Sequence, residues 1–404
     1  MPADSKPGKL TLRAYNVGFG DCFLLTFHYP VRDRHVLIDF GAWVKSRKDR
    51  LTNKPQASNQ GIATTVEQAL ACSSSISLAN RPLIGCEASE LQLLVRVAKD
   101  ISKRCFGKLD AIVATHRHRD HIGGFAGRSG AIIESCHPDV VVQPWTEHPD
   151  ADPGVSFLGE ENLVNLGAVK NLQRIGLRRT YVHYGADSGL ESVLPGVTVR
   201  VLGPPTLQQT QSIRKQRARD YAEFWLAPER GSALRTKLFP KARACSPSRR
   251  SPNTRSFLGR MRAIHVGQTR QIVRALDKVL NNTSVILLIE AGNKKLLFPG
   301  DAQIESWSYA LSRPGIRKML ADVDLYKVGH HGSRNATPKT LWNLFAKRSA
   351  GSSSQRLRTV LSTTANVHAD VPCAALVETL KAQSDFFSTQ DIDGKLYEDI
   401  CMEL

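Results

Sequence analysis

Short apolar runs separated by glycine-containing or polar turns make up the start of the chain. Residues 9–27 and 34–41 form two such runs, KLTLRAYNVGFGDCFLLTF and RHVLIDFG, divided by Gly-Phe-Gly and by a polar turn. Apolar runs of this length that are bounded by turn residues are typical of strands. We therefore predict a strand pair here, at the beginning of a mixed sheet.

Helix and strand patterns alternate along the rest of the chain. Residues 90–107 carry apolar side chains at helical spacing and end in Gly107, a suitable C-terminal cap, and residues 271–281 show the same spacing. Strands are predicted at 108–116, 139–145, 178–185, 196–205, 283–301 (as a hairpin), 321–333 and 357–366, the last of these as the final core strand. This alternation favours an α/β sandwich whose loops carry the chemistry.

One domain over residues 8–404, with two insertions, fits this pattern. Residues 44–90 are polar and rich in Ser and Asn, whereas residues 206–275 are basic and rich in Ser, Pro and Arg. Of the 404 residues 41% are apolar, which is enough for a sizeable core, and the eight cysteines are scattered, which favours reduced thiols. No apolar run approaches the roughly 18–20 residues of a membrane helix, and the N-terminus lacks a secretory signal, so we expect a soluble cytoplasmic protein.

The net charge of +18 is concentrated in one segment. Residues 212–275 contain 16 Lys and Arg but only three Asp and Glu. One interpretation is a surface for a polyanion such as nucleic acid, with Arg249, Arg250 and Arg255 as candidate phosphate contacts. The other is a solvated, partly disordered loop, which is the commoner outcome for such a charge run. The sequence leaves both open.

A cluster of candidate metal ligands follows the predicted strand at 108–116. In AIVATHRHRDHIGGF, His116 and His118 are two positions apart, so an extended chain points both to the same side, and Asp120 and His121 follow at the turn. Imidazole nitrogens and a carboxylate are ligands for Zn²⁺ or a similar ion, and the cluster can hold one ion or two. The spacing differs from the i, i+4 histidine pair of helical metalloproteases.

Motifs on both sides of this cluster resemble those of a known family. THRHRDHIGG resembles the HxHxDH signature of the metallo-β-lactamase superfamily. Upstream NVGFGD and VLIDFG, and downstream NNTSVILLIE, LLFPGDAQ, YKVGHHGSRNATP and VLSTTAN, follow the order of one branch of it. That branch contains the metallo-hydrolase domain of bacterial DNA-uptake (competence) proteins and stand-alone bacterial relatives. The resemblance covers residues 10–45, 88–205 and 276–372 and implies an αββα sandwich, with two mixed sheets flanked by helices.

The resemblance implies a dinuclear site for Zn²⁺ or Mn²⁺ that activates a bridging water. The implied ligands are His116, His118 and Asp301 for the first ion, and Asp120, His121, Asp301 and His330 for the second. Of the two adjacent histidines, His330 is preferred as the ligand because it follows the strand directly, leaving His331 to contact substrate or deliver a proton. His368 is a further candidate at the site mouth, and Asp21 and Asp39 would orient ligating histidines.

One ligand of many superfamily members is missing. These members supply a further histidine between HxHxDH and the bridging aspartate, but the corresponding segment here, NNTSVILLIE, contains none. His183 and His265 are the other histidines in the middle of the chain, and a core or surface imidazole is the simpler interpretation of both. The first metal site is therefore predicted to be completed by water or substrate.

Metal-dependent hydrolysis is the predicted reaction, because two close divalent ions lower the pKa of a water toward 7. Asp120 or Asp301 would accept its proton, and His331 or His368 would protonate the leaving oxygen. The branch resemblance and the basic segment favour phosphoesters, including nucleic acid, over lactones or thioesters. The alternative from another class is a nucleic-acid-binding or partner-docking module with a structural metal site, although converging polar ligands are costly to bury without ions.

If residues 212–275 bind a polyanion, changing Arg249, Arg250 and Arg255 to Gln should weaken nucleic-acid binding whatever the base sequence, because phosphate contacts carry no base information. The slope of log K against log salt should fall in magnitude by roughly 2, since each contact contributes about 0.7–0.9. Fluorescence anisotropy over a salt series measures both effects. Unchanged binding to DNA and RNA at low salt would make the segment a solvated insertion and favour a small-molecule substrate.

Overall fold

Strands and helices alternate through the residues that the computed structural model describes, which are 6–43, 85–150, 165–214, 220–225, 280–348, 355–364, 367 and 370–404. Most of both predicted insertions lies outside these ranges, as does nearly all of the helix predicted at 271–281. Among the described residues, no helix is both long and apolar enough to cross a membrane.

The predicted strands from 108–116 to 357–366 and the helix predicted at 90–107 are present in the described ranges, together with helices and strands that the sequence pattern did not predict. The strands are β1 (Lys9–Tyr15), β2 (Cys22–His28), β3 (Arg34–Phe40), β4 (Ala111–Val113), β5 (Val140–Pro144), β6 (Arg178–Val182), β7 (Val197–Gly203), β8 (Ile286–Ala291), β9 (Lys294–Phe298), β10 (Leu325–Lys327), β11 (Arg358–Leu361), β12 (Asp385–Ser388) and β13 (Tyr397–Glu403). The α-helices are α1 (Gly85–Arg104), α2 (Arg119–Ile122), α3 (Gly127–Glu134), α4 (Leu166–Arg174), α5 (Ile304–Leu311), α6 (Pro314–Ala321), α7 (Lys339–Leu344) and α8 (Ala374–Gln383).

Two mixed sheets contain these strands, which confirms the predicted α/β class. The first has the order β13-β1-β2-β3-β4-β5-β6 and the second the order β12-β11-β10-β9-β8-β7. In the first sheet β1, β2 and β3 are antiparallel, and β4, β5 and β6 continue parallel to β3. In the second, β7, β8 and β9 are antiparallel, and β10, β11 and β12 continue parallel to β9. Apart from β13, the two sheets thus share one strand plan, in which three antiparallel strands are followed by three parallel ones.

Alternating side chains of each sheet enter different cores. In β2, Phe23, Leu25 and Phe27 belong to a cluster that also contains side chains of the second sheet, whereas Cys22 and Leu24 belong to a cluster shared with α1, α3 and α4. The other face of the second sheet packs with α5, α6, α7 and α8 in a third cluster. Because both faces of each sheet are buried at its centre, central strands such as β4 and β8 are mostly apolar rather than alternating.

The structure differs from the sequence prediction at both ends of the chain. Residues 9–41 form three strands instead of a pair, because the NVGFGD turn, where Gly18 has a φ of +78°, reverses the chain between β1 and β2. The strand predicted as the last one, β11, is followed by β12 and β13. β13 pairs along its whole length with β1, but most of its side chains are not buried, so its sequence lacks an apolar run.

Polar loops from both sheets meet at one edge of the sandwich. In the first sheet β3 ends next to Asp39, and Thr115 and His116 follow β4. In the second sheet Asp301 follows β9, and the backbone N–H of Val285, just before β8, donates to the carbonyl of Thr115 at 2.9 Å. The carboxyl ends of parallel strands are a common location for binding sites in α/β proteins.

Candidate metal centre

The turn that carries the HxHxDH residues is fixed by close backbone packing. The N–H of Asp21 donates to the carbonyl of Asp120 at 2.9 Å. A Cβ atom on Gly41 would lie 2.2 Å from the carbonyl carbon of Asp120, and one on Gly20 would lie 2.8 Å from its carbonyl oxygen. Only glycine allows this approach. Because Gly20 and Gly41 have no side chain, the Asp120–His121 backbone packs directly against them, and this contact fixes its position.

Four side chains converge beside this turn. Asp120, His121, Asp301 and His331 each offer a ligand atom within 4.8 Å of the others. His121 Nε2 lies 3.1 Å from Asp301 Oδ1, and His331 Nε2 lies 3.0 Å from Asp120 Oδ2 and 3.8 Å from Asp301 Oδ2. Three of the side chains are fully buried, and that of Asp120 is 17% exposed. Two carboxylates and two imidazoles form a suitable ligand set for Zn²⁺ or Mn²⁺.

The first two histidines of the motif lie beside the four-residue group. His116 Nε2 is 2.9 Å from His118 Nδ1 and 3.9 Å from Asp301 Oδ2. Asp301 turns Oδ2 toward His116, as it does toward His331, and Oδ1 toward His121. Both oxygens of this carboxylate therefore face imidazole nitrogens.

Hydrogen bonds fix which ring nitrogens face the centre. His121 Nδ1 donates to Asp39 Oδ2 at 2.8 Å, and His331 Nδ1 donates to the carbonyl of Ser362 at 2.9 Å. Thr115 Oγ1 donates its single proton to Asp39 Oδ2, so it accepts from His116 Nδ1 at 3.1 Å. Each histidine thereby keeps Nε2 toward the carboxylates, the arrangement found in metal-ligating histidines.

Two of the converging atoms are buried without a hydrogen bond. His121 Nε2 and Asp301 Oδ1 have no hydrogen-bond partner among the described residues, although they are 3.1 Å apart. Unpaired buried polar atoms are rare and destabilising, and a bound cation satisfies both. The donor set, its orientation and these two atoms all fit a metal ion.

The histidines and carboxylates of the centre shift each other's pKa values, upward for His121 and downward for Asp301. Burial alone lowers the pKa of His121, but the carboxylates of Asp301 and Asp39 outweigh it and raise the pKa well above its usual value. Burial alone raises the pKa of Asp301, but the neighbouring histidines, His121 first, hold it well below its usual value. The carboxylates of the centre therefore favour positive charge beside them, which a divalent ion supplies.

The structure places His331 inside the four-residue group and His330 beside it. His331, predicted to contact substrate or deliver a proton, is fully buried, with Nδ1 2.9 Å from the carbonyl of Ser362 and Nε2 3.0 Å from Asp120 Oδ2. His330, predicted as the ligand of the second ion, lies outside the four-residue group, with a side chain 24% exposed and Nε2 3.8 Å from Asp301 Oδ2. The reason is the backbone, because φ of +44° and +50° at the two residues turns consecutive side chains in unexpected directions.

His330 is held by its own set of polar neighbours. Ser333 Oγ donates to Asn335 Oδ1 at 3.1 Å and accepts from His330 Nδ1 at 3.0 Å. The side-chain amide of Asn281 lies 3.3 Å from His330 Nε2. Asn281 belongs to NNTSVILLIE, the segment in which the family histidine is missing. Nothing in the sequence pattern singled out Asn281.

Both arginines within the motif are tied to buried glutamates. Arg117 makes two hydrogen bonds to Glu147, at 2.8 and 2.9 Å, and Arg119 lies 3.0 Å from Glu90. Glu147 and Glu90 are almost fully buried. These ion pairs hold the residues between the ligands in place, a function that the HxHxDH pattern does not reveal.

The other residues predicted from the sequence lie in different places, some beside the four-residue group and some outside it. Asp39 does contact a candidate ligand, His121, as expected, and Asp21 lies 3.7 Å from His121 Nδ1. His183 Nδ1 donates to the neighbouring carbonyl of Tyr184, a local structural contact. The remaining candidates lie outside the described residues: His265, His368, Arg249, Arg250 and Arg255.

Changing Asp39 to Asn should weaken metal binding about 10- to 100-fold, because a neutral amide is a weaker hydrogen-bond acceptor than the carboxylate that now fixes the His121 ring. Isothermal titration of the metal-free protein with Zn²⁺ measures the change. Asp33→Asn is the matched control, since Asp33 accepts from His28 Nδ1 at 2.9 Å but lies outside the centre. Equal affinities of both variants would show that Asp39 does not orient ligands.

The chain was compared with known proteins. No protein-family model matches it, and no curated protein matches its sequence significantly. The likeness of THRHRDHIGG, LLFPGDAQ and YKVGHHGS to metallo-β-lactamase motifs therefore remains a resemblance of short segments. What can be said about function rests on those segments and on the geometry of the residues that they bring together.

Proposed function

We propose that this protein is a metal-dependent hydrolase with the αββα sandwich of the metallo-β-lactamase type. The observation that carries the proposal is the convergence of imidazole Nε2 atoms on Asp301, each with its Nδ1 held by an acceptor. A purely structural cluster would not need this orientation, because apolar side chains would fill the same space at lower free energy.

Two ion positions are proposed at Asp301, because both of its carboxylate oxygens face imidazole nitrogens. The second ion would be held by Asp120, His121, Asp301 and His331, whose atoms already lie together. The first would be held by His116, His118 and Asp301, with His330 as a further nitrogen ligand. His330 is suited to this because Ser333 occupies its Nδ1 and its Nε2 lies 3.8 Å from Asp301 Oδ2, an oxygen that also faces His116 and His331. His330 would thus replace the missing family histidine.

Bound at these positions, divalent ions would supply Lewis acidity that lowers the pKa of a water toward 7 and stabilises negative charge on the substrate. The protein side chains do the rest. Asp120 is the partly exposed carboxylate of the group and is therefore placed to accept a proton from the attacking water. The hydrogen bond from Nδ1 to the carbonyl of Ser362 fixes the His331 ring, and Asp39 fixes the His121 ring.

Phosphoesters, including nucleic acid, are the proposed substrates. The support comes from the sequence, in which residues 212–275 carry 16 Lys and Arg against three Asp and Glu, and from the motif resemblance. A polyanion gains binding free energy from such a segment through release of counterions, whereas a neutral lactone or thioester gains none. Those two ester classes are the alternatives that a substrate panel must contain.

Protein purified without chelator should contain about two transition-metal ions per chain. His330→Ala and His331→Ala should each lower this number to about one, because each removes a nitrogen ligand from a different ion. Elemental analysis by mass spectrometry measures the count, and His28→Ala, at a histidine remote from the centre, is the control. A wild-type protein without metal, whose melting temperature does not rise with Zn²⁺ or Mn²⁺, would rule out the metal centre.

Asp120→Ala should lower kcat/KM for a model phosphodiester at least 100-fold, equivalent to about 2.7 kcal/mol of transition-state stabilisation. The fold should be retained, since Asp120 is not part of a hydrophobic core. The assay uses bis-p-nitrophenyl phosphate with Mn²⁺ or Zn²⁺, beside a lactone and a thioester, with His28→Ala as control. Full metal occupancy without hydrolysis of any of the three would favour a structural metal site.

A further inference from the structure

A lysine is buried inside the candidate metal centre. Lys327, the last residue of β10, has a side chain that is only 2% exposed. Its Nζ pairs with Asp21 and lies 3.3 Å from the carbonyl oxygen of Gly300 and 3.9 Å from Asp301 Oδ1. Burying an ammonium is costly unless it is paired and hydrogen-bonded, and these three oxygens meet that requirement.

The same oxygens border a second group of potential metal ligands. Asp21, Asp39 and His121 each offer a ligand atom within 4.8 Å of the others. Asp21 is 1% exposed, and its Oδ1 has no hydrogen-bond partner among the described residues. Asp21 Oδ2 is the atom that Lys327 contacts. The group therefore has the carboxylates of a cation site, and a cation that belongs to the chain already contacts it.

Two simpler functions for Lys327 do not fit its position. A substrate contact is excluded because the side chain is buried behind Asp301 and has almost no access to solvent. A pure partner for Asp21 does not explain why Nζ also lies close to Gly300 and Asp301, one of which is a proposed metal ligand. The three N–H donors of the ammonium face three oxygens, so Lys327 occupies this position as a cation shared by several acceptors rather than as the partner of one carboxylate.

We propose that Lys327 is a positioning residue whose ammonium holds the place of a third cation, beside Asp21, Gly300 and Asp301, and so limits metal ions to the two positions around Asp301. The inference rests on the metal centre of the proposed function, but it does not depend on which ester is hydrolysed. It predicts that removal of the ammonium creates room and charge for one more ion. The new site would be lined by oxygen and would suit Mn²⁺.

Lys327→Ala, which leaves both the carboxylates and an empty volume, should bind about one more Mn²⁺ per chain than the wild-type protein. Lys327→Met, which fills the volume without charge, should bind no additional ion. Ions are counted by elemental analysis after incubation with Mn²⁺ and desalting. Lys347→Met is the matched control, because Lys347 Nζ also pairs with a carboxylate, that of Asp324 at 2.6 Å, but outside the centre.

Melting temperature gives a second measurement that a merely structural lysine would not change. Mn²⁺ should raise the melting temperature of Lys327→Ala more than that of the wild-type protein, and it should restore folding if the metal-free variant does not fold. Equal ion counts and equal Mn²⁺-dependent shifts in the two proteins would overturn the proposal. So would a Lys327→Ala variant that stays unfolded in Mn²⁺ while the Asp21→Asn, Lys327→Met double variant folds, because Lys327 would then only balance Asp21.

This test can be separated from that of the proposed function. The inference concerns the difference in ion number between variant and wild type, whereas the proposed function concerns the ions and the hydrolysis of the wild type. A wild-type protein that binds ions but hydrolyses nothing would contradict the hydrolase and leave the ion difference measurable. A wild-type protein without ions would contradict both the dinuclear site and the proposal for Lys327, whereas a wild type with two ions and an equal count in Lys327→Ala would contradict the proposal for Lys327 alone.

Discussion

The buried carboxylate of Asp301 is the point on which the rest of the site depends. It is 1% exposed and lies between imidazoles of the HxHxDH turn and imidazoles of the GHHGS loop. A carboxylate removed from water in this way is stable only if positive charge surrounds it. The histidines, the lysine beside it and the ions that we propose all meet this requirement from different sides.

Local backbone constraints place those groups. Asp39, His330 and His331 all have φ between +44° and +54°, a region that costs non-glycine residues about 1–3 kcal/mol each. Gly20 and Gly41 meanwhile allow two backbone segments to touch behind Asp120. The surrounding cores must stabilise this strained arrangement, and the buried faces on both sides of each sheet provide that stability. Burial of these hydrophobic cores thus compensates the free energy of the backbone strain at the site.

The sequence was sufficient for the fold class and for most of the centre, because both depend on patterns that are local in the chain. Apolar runs bounded by turns located β2, β8 and β9, and the spacing of polar residues after β4 located the first ligands. The assignment of His330 and His331 depends on positive φ values, which neighbouring residue types do not reveal. Lys327 in a three-residue strand gave no signal, since its partner Asp21 is distant in sequence.

The shared strand plan of the two sheets explains why the site is where it is. Each sheet begins with an antiparallel trio and continues with parallel strands, so both place carboxyl ends at the same edge. The HxHxDH ligands come from the first sheet, and Asp301 and His331 come from the second. Neither sheet holds a complete set of candidate ligands, so the ions that we propose would stabilise the packing of one sheet on the other. Metal affinity and the stability of the inter-sheet core would then be coupled, and a mutation in that core would weaken metal binding without touching a candidate ligand.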